Sequence, residues 1–91
     1  MKVVWSETAI NQIRRYASLI EDDKPKAAAN WIRSVFSKET DISSFPLLGR
    51  VVPEYDKTSI REIIFGSYRI IYKIQKNEIL VTTVQSFKKI L

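Results

Sequence analysis

The sequence predicts an α+β domain: an N-terminal strand, then an antiparallel helical hairpin packed on a small antiparallel β-sheet, in the order β-α-α-β-β-β. Three observations predict it. From Ala9 to Ile42 the apolar side chains recur at helical spacing, whereas beyond Pro53 they alternate as in extended chain. Two tight-turn pairs, Gly66-Ser67 and Lys76-Asn77, then cut the extended half into hairpins. Finally, 91 residues that are 45% hydrophobic and 27% charged have the composition of one globule. The expected organisation is a single domain over residues 1–91. A chain of this size buries roughly 60–65% of its unfolded surface, enough for one core with little stability to spare.

The elements follow in order. Lys2–Trp5 is a short β-prone run and reads as the first strand. Ser6 is a good N-cap, and Glu7 puts a carboxylate in the first turn, where the helix dipole favours it. Ala9, Ile10, Ile13, Tyr16, Ala17 and Ile20 form one stripe, leaving Arg14 and Arg15 toward solvent. Glu21-Asp22-Asp23 is expected to close this helix and to cap the next. Pro25 suits the first turn of a second helix, because its missing N–H costs nothing there. Ala28, Trp31, Ile32, Val35, Phe36 and Ile42 continue the helical spacing, and so short a connection implies an antiparallel hairpin. Ser43-Ser44-Phe45-Pro46 breaks the pattern, and Gly49 marks a turn. Ile60–Phe65, Tyr68–Ile74 and Ile79–Gln85 are the remaining strands.

Composition excludes several chemistries. With no cysteine there is no disulfide scaffold and no thiolate zinc site. With no histidine, the usual metal ligand and general base are missing, as is any Ser/His or Cys/His pair. No metal and no cofactor is expected. No apolar run approaches ~18 residues, and the opening MKVVWSETA turns polar too soon for a signal peptide. The expected compartment is the cytoplasm. The net charge is +5 with a pI near 9.6. Residues 1–45 hold seven Lys and Arg against six Asp and Glu, while residues 46–91 hold eight against four. That C-terminal excess serves solubility, or it faces nucleic acid, a ribosome or an acidic protein segment. Charge alone does not choose.

No catalytic constellation stands out. Glu54 and Asp56 share a loop beside a basic strand region, but loop carboxylates are ordinarily solvated surface. Arg61, Arg69 and Lys73 lie on strands, and the spacing of Arg69 and Lys73 puts them on one face. Either they flank a sheet face open to water or they bind phosphate or carboxylate, for which arginine is well suited. Trp31, Phe36, Tyr68 and Tyr72 fit the apolar pattern of a core.

The stretch PLLGRVVPEY (46–55), followed by IREIIFGSYRIIYKI (60–74), resembles the RelE/ParE toxin superfamily, specifically its ParE-like branch. The opening VVWSETAINQI (3–13) and the Pro25, Ala27-Ala28 entry to the second helix are similar to that family as well. The most specific part is Phe45-Pro46, Gly49-Arg50, Pro53, Arg61-Glu62 and Tyr68-Arg69-Ile70-Ile71-Tyr72, in that order and closely spaced. The resemblance implies a toxin of a type II toxin–antitoxin pair, neutralised by a ParD-like antitoxin in a hetero-oligomer.

Two activities divide the superfamily. RelE-like members cleave mRNA in the ribosome, and ParE-like members poison DNA gyrase. Cleavage requires groups that activate the 2′-OH, stabilise the phosphorane and protonate the leaving oxygen. The RelE-like pattern has two lysines on the strand before the Tyr-Arg motif, where this chain has Ile60 and Glu62. Ser86 stands where many members have histidine, and Lys89 where they have arginine. The expectation is a gyrase inhibitor without catalytic residues of its own. As a nuclease it would have to use Arg61, Arg69 and Lys89; a third reading is an inactive, antitoxin-binding relative. The residues expected to meet the target are Arg61, Arg69, Lys73, Lys88 and Lys89. For the antitoxin they are Trp31, Val35, Leu47, Leu48 and Arg50. A sheet this small covers only one side of the hairpin, so some of Leu19, Trp31, Val35, Phe45, Leu47 and Leu48 are expected to form an exposed apolar groove; the alternative is that they complete the core.

Overall fold

In the computed structural model, which describes residues 1–87, strand β1 (Lys2–Trp5) runs directly into helix α1 (Glu7–Asp23). Ser6 makes the junction. Its Oγ accepts from Ala9 N at 3.0 Å, capping the helix as expected. The same hydroxyl donates to Thr82 O at 2.9 Å, tying the helix start to the far end of the chain. Helix α2 (Pro25–Ser44) begins with Pro25 in its first turn. The acidic run closes α1 but does not cap α2. Asp23 is still helical, so the cap position falls to Lys24, which makes no side-chain cap bond.

Four more strands complete the sheet: β2 (Arg50–Val51), β3 (Ile60–Phe65), β4 (Tyr68–Ile74) and β5 (Glu78–Ser86). Their order is β1-β5-β4-β3-β2. The α+β arrangement is as the sequence predicts, with two differences. β1 pairs with β5 in parallel, from Lys2↔Glu78 to Trp5↔Val81, so the sheet is mixed. The two-residue β2, in a segment that reads as loop, adds an edge beside β3. Neither pairing is written in its own strand, since four or two residues carry no mark of their partner.

β1 covers only the first half of β5. Beyond it, side chains of α1 take over the exposed backbone edge. Val84 N donates to Gln12 Oε1 at 2.7 Å, and Ser86 N donates to the Tyr16 hydroxyl at 3.1 Å. The helix thereby closes an edge that would otherwise be free to pair with another chain. One face of the sheet packs on the helices: Ile70, Tyr72, Ile79, Val81 and Val84 meet Ala9 and Ile13 of α1 and Val35 and Ile42 of α2. Trp31, Tyr16, Phe65 and Tyr68 extend this core as an aromatic cluster, with Trp31 and Tyr68 centroids 5.0 Å apart. No helix among the described residues is long and apolar enough to cross a membrane.

The segment between α2 and β2 is pinned by one tyrosine. The fully buried Tyr72 donates its hydroxyl to Pro46 O at 2.7 Å and accepts from Gly49 N at 2.9 Å. Gly49 is there for space rather than for a turn conformation, since its φ is not positive. A Cβ on Gly49 would lie 2.7 Å from both Glu62 O and the Tyr72 hydroxyl. Gly49→Ala is therefore expected to lose about 1–3 kcal/mol in urea unfolding, as for other overpacked sites.

Tyr72 also sets an alkaline limit. Burial raises its phenol above the ordinary 10.0, against smaller lowering effects of the Gly49 N–H and the Arg61 charge. Its contribution is intact below the unfolded-state value and is lost as pH rises through the folded one, because the unfolded chain ionises first. Tyr72→Phe is expected to cost about 1–3 kcal/mol at neutral pH through the unpaired Pro46 carbonyl and Gly49 N–H. It should also flatten part of the alkaline loss, leaving the part due to Tyr68, whose phenol is likewise raised by burial and by Tyr16. Urea unfolding of both proteins at neutral and alkaline pH checks this.

Candidate functional site

Glu62 sits in the middle of an apolar strand and is 1% exposed. Register places it opposite Arg50 on β2 and Ile71 on β4, so all three point to the sheet face turned away from the helices. A carboxylate cannot remain there alone, because burying an unpaired charge is far too costly. Two arginines complete it. Arg50 Nε donates to Oε1 at 2.7 Å, and Nη2 forms an ion pair with the same oxygen at 2.7 Å. Arg69 Nη1 donates to Oε2 at 3.0 Å and also to Glu54 Oε2 at 3.0 Å, which brings in the loop between β2 and β3. Arg69 Nε donates to Gln85 Oε1 at 3.0 Å, and its guanidinium lies 5.9 Å over the Phe87 ring.

This network changes the electrostatics of the open face. Partial burial lowers the proton affinity of Arg69, but its bonds to Glu54 and Glu62 more than offset this and hold it above its ordinary value. Its charge is balanced locally by two carboxylates. Arg61, on β3 directly opposite Tyr72 of β4, donates Nε to Thr58 O and Nη1 to Gly49 O, both at 2.9 Å, and reaches Leu47 O at 3.4 Å. It supports the 47–49 segment from below. Lys73 shares the face of Arg69 as expected, and no described residue pairs with it. Lys88 and Lys89 lie outside the described residues.

With Pro46, Gly49 and the Leu47 carbonyl held, the side chains between them point outward. Phe45, Leu47 and Leu48 are 68%, 66% and 57% exposed, and with Ser44 and Pro46 they line a shallow groove of about 450 Å³. Arg50 follows immediately, its side chain largely open to water. Among the described residues, no cluster of acidic side chains has the make-up of a metal site.

A family model described as the ParE toxin of type II toxin–antitoxin systems matches residues 3–90. The chain belongs to the ParE toxin family. Its fold is shared with a chain of the chromosomal ParDE toxin–antitoxin system of P. aeruginosa, at a TM-score of 0.81, 11% identity and 97% coverage of each chain. It is similar to a chain of the RelBE2 toxin–antitoxin complex of Mycobacterium tuberculosis, at a TM-score of 0.64 and 19% identity, covering 93% of this chain and 95% of that one. At such identities the likeness establishes the fold. No curated protein sequence matches this chain.

Within this ParE-family fold, the apolar groove expected from sequence does not form as one surface. Val35 is fully buried in the core and has no surface to offer a partner. Trp31 belongs to the aromatic cluster, its Nε1 buried without a hydrogen-bond partner among the described residues. Leu19 is exposed, but on a separate cleft of about 440 Å³ beside Tyr16, Ile20 and Tyr68. Only Phe45, Leu47 and Leu48 lie together. The helical stripe could not reveal this, because Val35 lies on the side of α2 that covers the sheet.

Sequence reasoning also missed Glu62 as an organising residue. The available signal was a lone carboxylate within Ile-Arg-Glu-Ile-Ile-Phe, since a charge flanked by strand apolars needs partners. Glu62→Ala is expected to destabilise by about 3 kcal/mol, the low end for a broken buried pair because Arg50 retains water. Arg50→Ala should cost less, about 1–2 kcal/mol, since Arg69 still holds Oε2 and only Oε1 loses its donor, at a sheet edge that the missing side chain opens to water. Denaturant unfolding of the two variants checks the order.

Proposed function

We propose that this ParE-family toxin acts on DNA gyrase, trapping it on cleaved DNA, and that a ParD-like antitoxin neutralises it. The observation that carries the reading is the state of Glu62. In the RelE-like pattern this position supplies positive charge to a phosphorane, and here it is a buried carboxylate that occupies both Arg50 and Arg69. Ile60, at the other lysine position, adds no charge. The nuclease reading is left with Arg61, bound to backbone carbonyls, and with Lys89. Purified toxin at micromolar concentration is expected to inhibit gyrase supercoiling; unimpaired supercoiling would sink the gyrase reading. Discrete cuts in mRNA by primer extension would establish the ribosome-dependent nuclease instead. Soluble toxin without growth arrest would establish an inactive, antitoxin-binding relative.

The antitoxin reading rests on the Phe45–Leu48 groove. An apolar patch held rigidly by Tyr72 and Arg61 suits the apolar face of a helix that folds on binding, and Arg50 beside it suits acidic residues on that helix. The complex is a hetero-oligomer in the cytoplasm, built on residues 1–91 as a single domain. Leu48→Asp is expected to weaken antitoxin affinity at least about tenfold, which corresponds to ~1.4 kcal/mol, while leaving the fold intact because the side chain is exposed. Calorimetric titration with the antitoxin reads this, and unchanged affinity would place Leu48 outside the interface.

A further inference from the structure

The open face of the sheet has a second feature beside the Glu62 network. β4 pairs with β5 through Ile71↔Thr83 and then Tyr72↔Val81, so Thr82 is an extra residue, a β-bulge. Counted back from Val84, which faces the core, strict alternation would turn Thr82 toward the helices. The bulge turns it instead to the side of Thr83, and both line one cavity of about 220 Å³ with Tyr55, Ile60, Ile71 and Lys73. The bulge is secured from outside the sheet: Ser6 donates its N–H to Val81 O and its hydroxyl to Thr82 O, each at 2.9 Å. Two consecutive hydroxyls are thereby held on one face.

The cavity has donors to spare. Lys73 has no partner among the described residues, and no carboxylate lines the walls. Glu54 and Glu62, on neighbouring elements, are committed to arginines. Thr83 Oγ1 donates to Thr82 Oγ1 and Thr82 Oγ1 to Ile71 O, both at 3.3 Å. Ordinary O–H···O bonds are about 2.5–3.0 Å, so these hydrogens are weakly held and free to turn to a ligand. Tyr55 stands exposed at the rim on a tight turn, in which Val52 O accepts from both Tyr55 N and Asp56 N and Asp56 takes a φ of 50°. The floor, Ile60 and Ile71, is apolar.

We propose that this cavity binds a nucleoside phosphate. Lys73 and the two threonine hydroxyls take the phosphate oxygens, and the Tyr55 ring stacks on the base. A cation with hydroxyl donors and no facing anion selects an oxyanion, and an exposed ring beside an apolar floor selects a flat base. The phosphate belongs either to a free nucleotide or to a nucleotide within a strand. The site is independent of the gyrase reading and is tested without gyrase.

The test is an NMR titration of the whole isotope-labelled chain with adenosine monophosphate, inorganic phosphate and a short single-stranded oligonucleotide. Adenosine monophosphate is expected to shift Tyr55, Lys73, Thr82 and Thr83 saturably, and inorganic phosphate the last three alone. Lys73→Met should weaken nucleotide binding about tenfold or more, in keeping with a charge-assisted contact. Thr83→Val, close in shape, should weaken it several-fold, and Tyr55→Ala should weaken nucleotide but not phosphate binding. Tighter binding of the oligonucleotide than of the mononucleotide assigns the phosphate to a strand, and equal or weaker binding to a free nucleotide. Lack of saturable shifts with either ligand at millimolar concentration overturns the proposal. So does unchanged affinity in folded Lys73→Met and Thr83→Val variants.

Discussion

A carboxylate without exposed surface determines how the second half of this protein is assembled. Glu62 cannot be buried unless positive charge comes to it, and the two arginines that do so arrive from different strands. Arg50 brings the two-residue β2 onto the sheet edge, where backbone pairing alone would hold little. Arg69 brings the loop carboxylate Glu54 and the β5 side chain Gln85. One buried charge thus organises a short strand, a loop and two central strands, and in doing so occupies Arg69, which the strand pattern by itself offers to a phosphate.

The other face is organised by hydrogen bonds from side chains to backbone groups. Tyr72 reaches from the core to the Pro46 carbonyl and the Gly49 N–H, and Arg61 holds the Gly49 and Leu47 carbonyls. Backbone polar groups that would otherwise need water are satisfied from within, so the segment is stiff although its side chains are not packed. That combination distinguishes the segment from a loose loop. Apolar side chains on a mobile loop would lose much of their binding energy to ordering, and here that ordering is already built into the fold.

Ser6 joins the two halves of the chain. One residue caps α1, continues the backbone pairing of β1 to Val81 and secures the bulge at Thr82. Gln12 and Tyr16 then satisfy the β5 backbone where β1 has ended. The first helix is therefore part of the sheet edge as well as a lid on its core, which explains why its stripe includes polar side chains such as Tyr16 beside Ala9 and Ile13.

The sequence by itself determined the element types, most of their bounds and the turns. Ser6, Pro25, Gly66-Ser67 and Lys76-Asn77 act on their immediate neighbours, and local geometry is legible wherever a residue's effect is local. The family was legible for the same reason, through short motifs in order. Pairing and burial were not. Nothing in Lys2–Trp5 names β5 as its parallel partner, and a stripe on α2 does not say whether Val35 faces the sheet or water. Most of all, Arg69 and Lys73 are alike in sequence, two cations on one strand face. Tertiary structure neutralises the first with Glu54 and Glu62 and leaves the second beside a bulged pair of threonines, because charge acts through space and its partners are set by strand register, not by spacing along the chain.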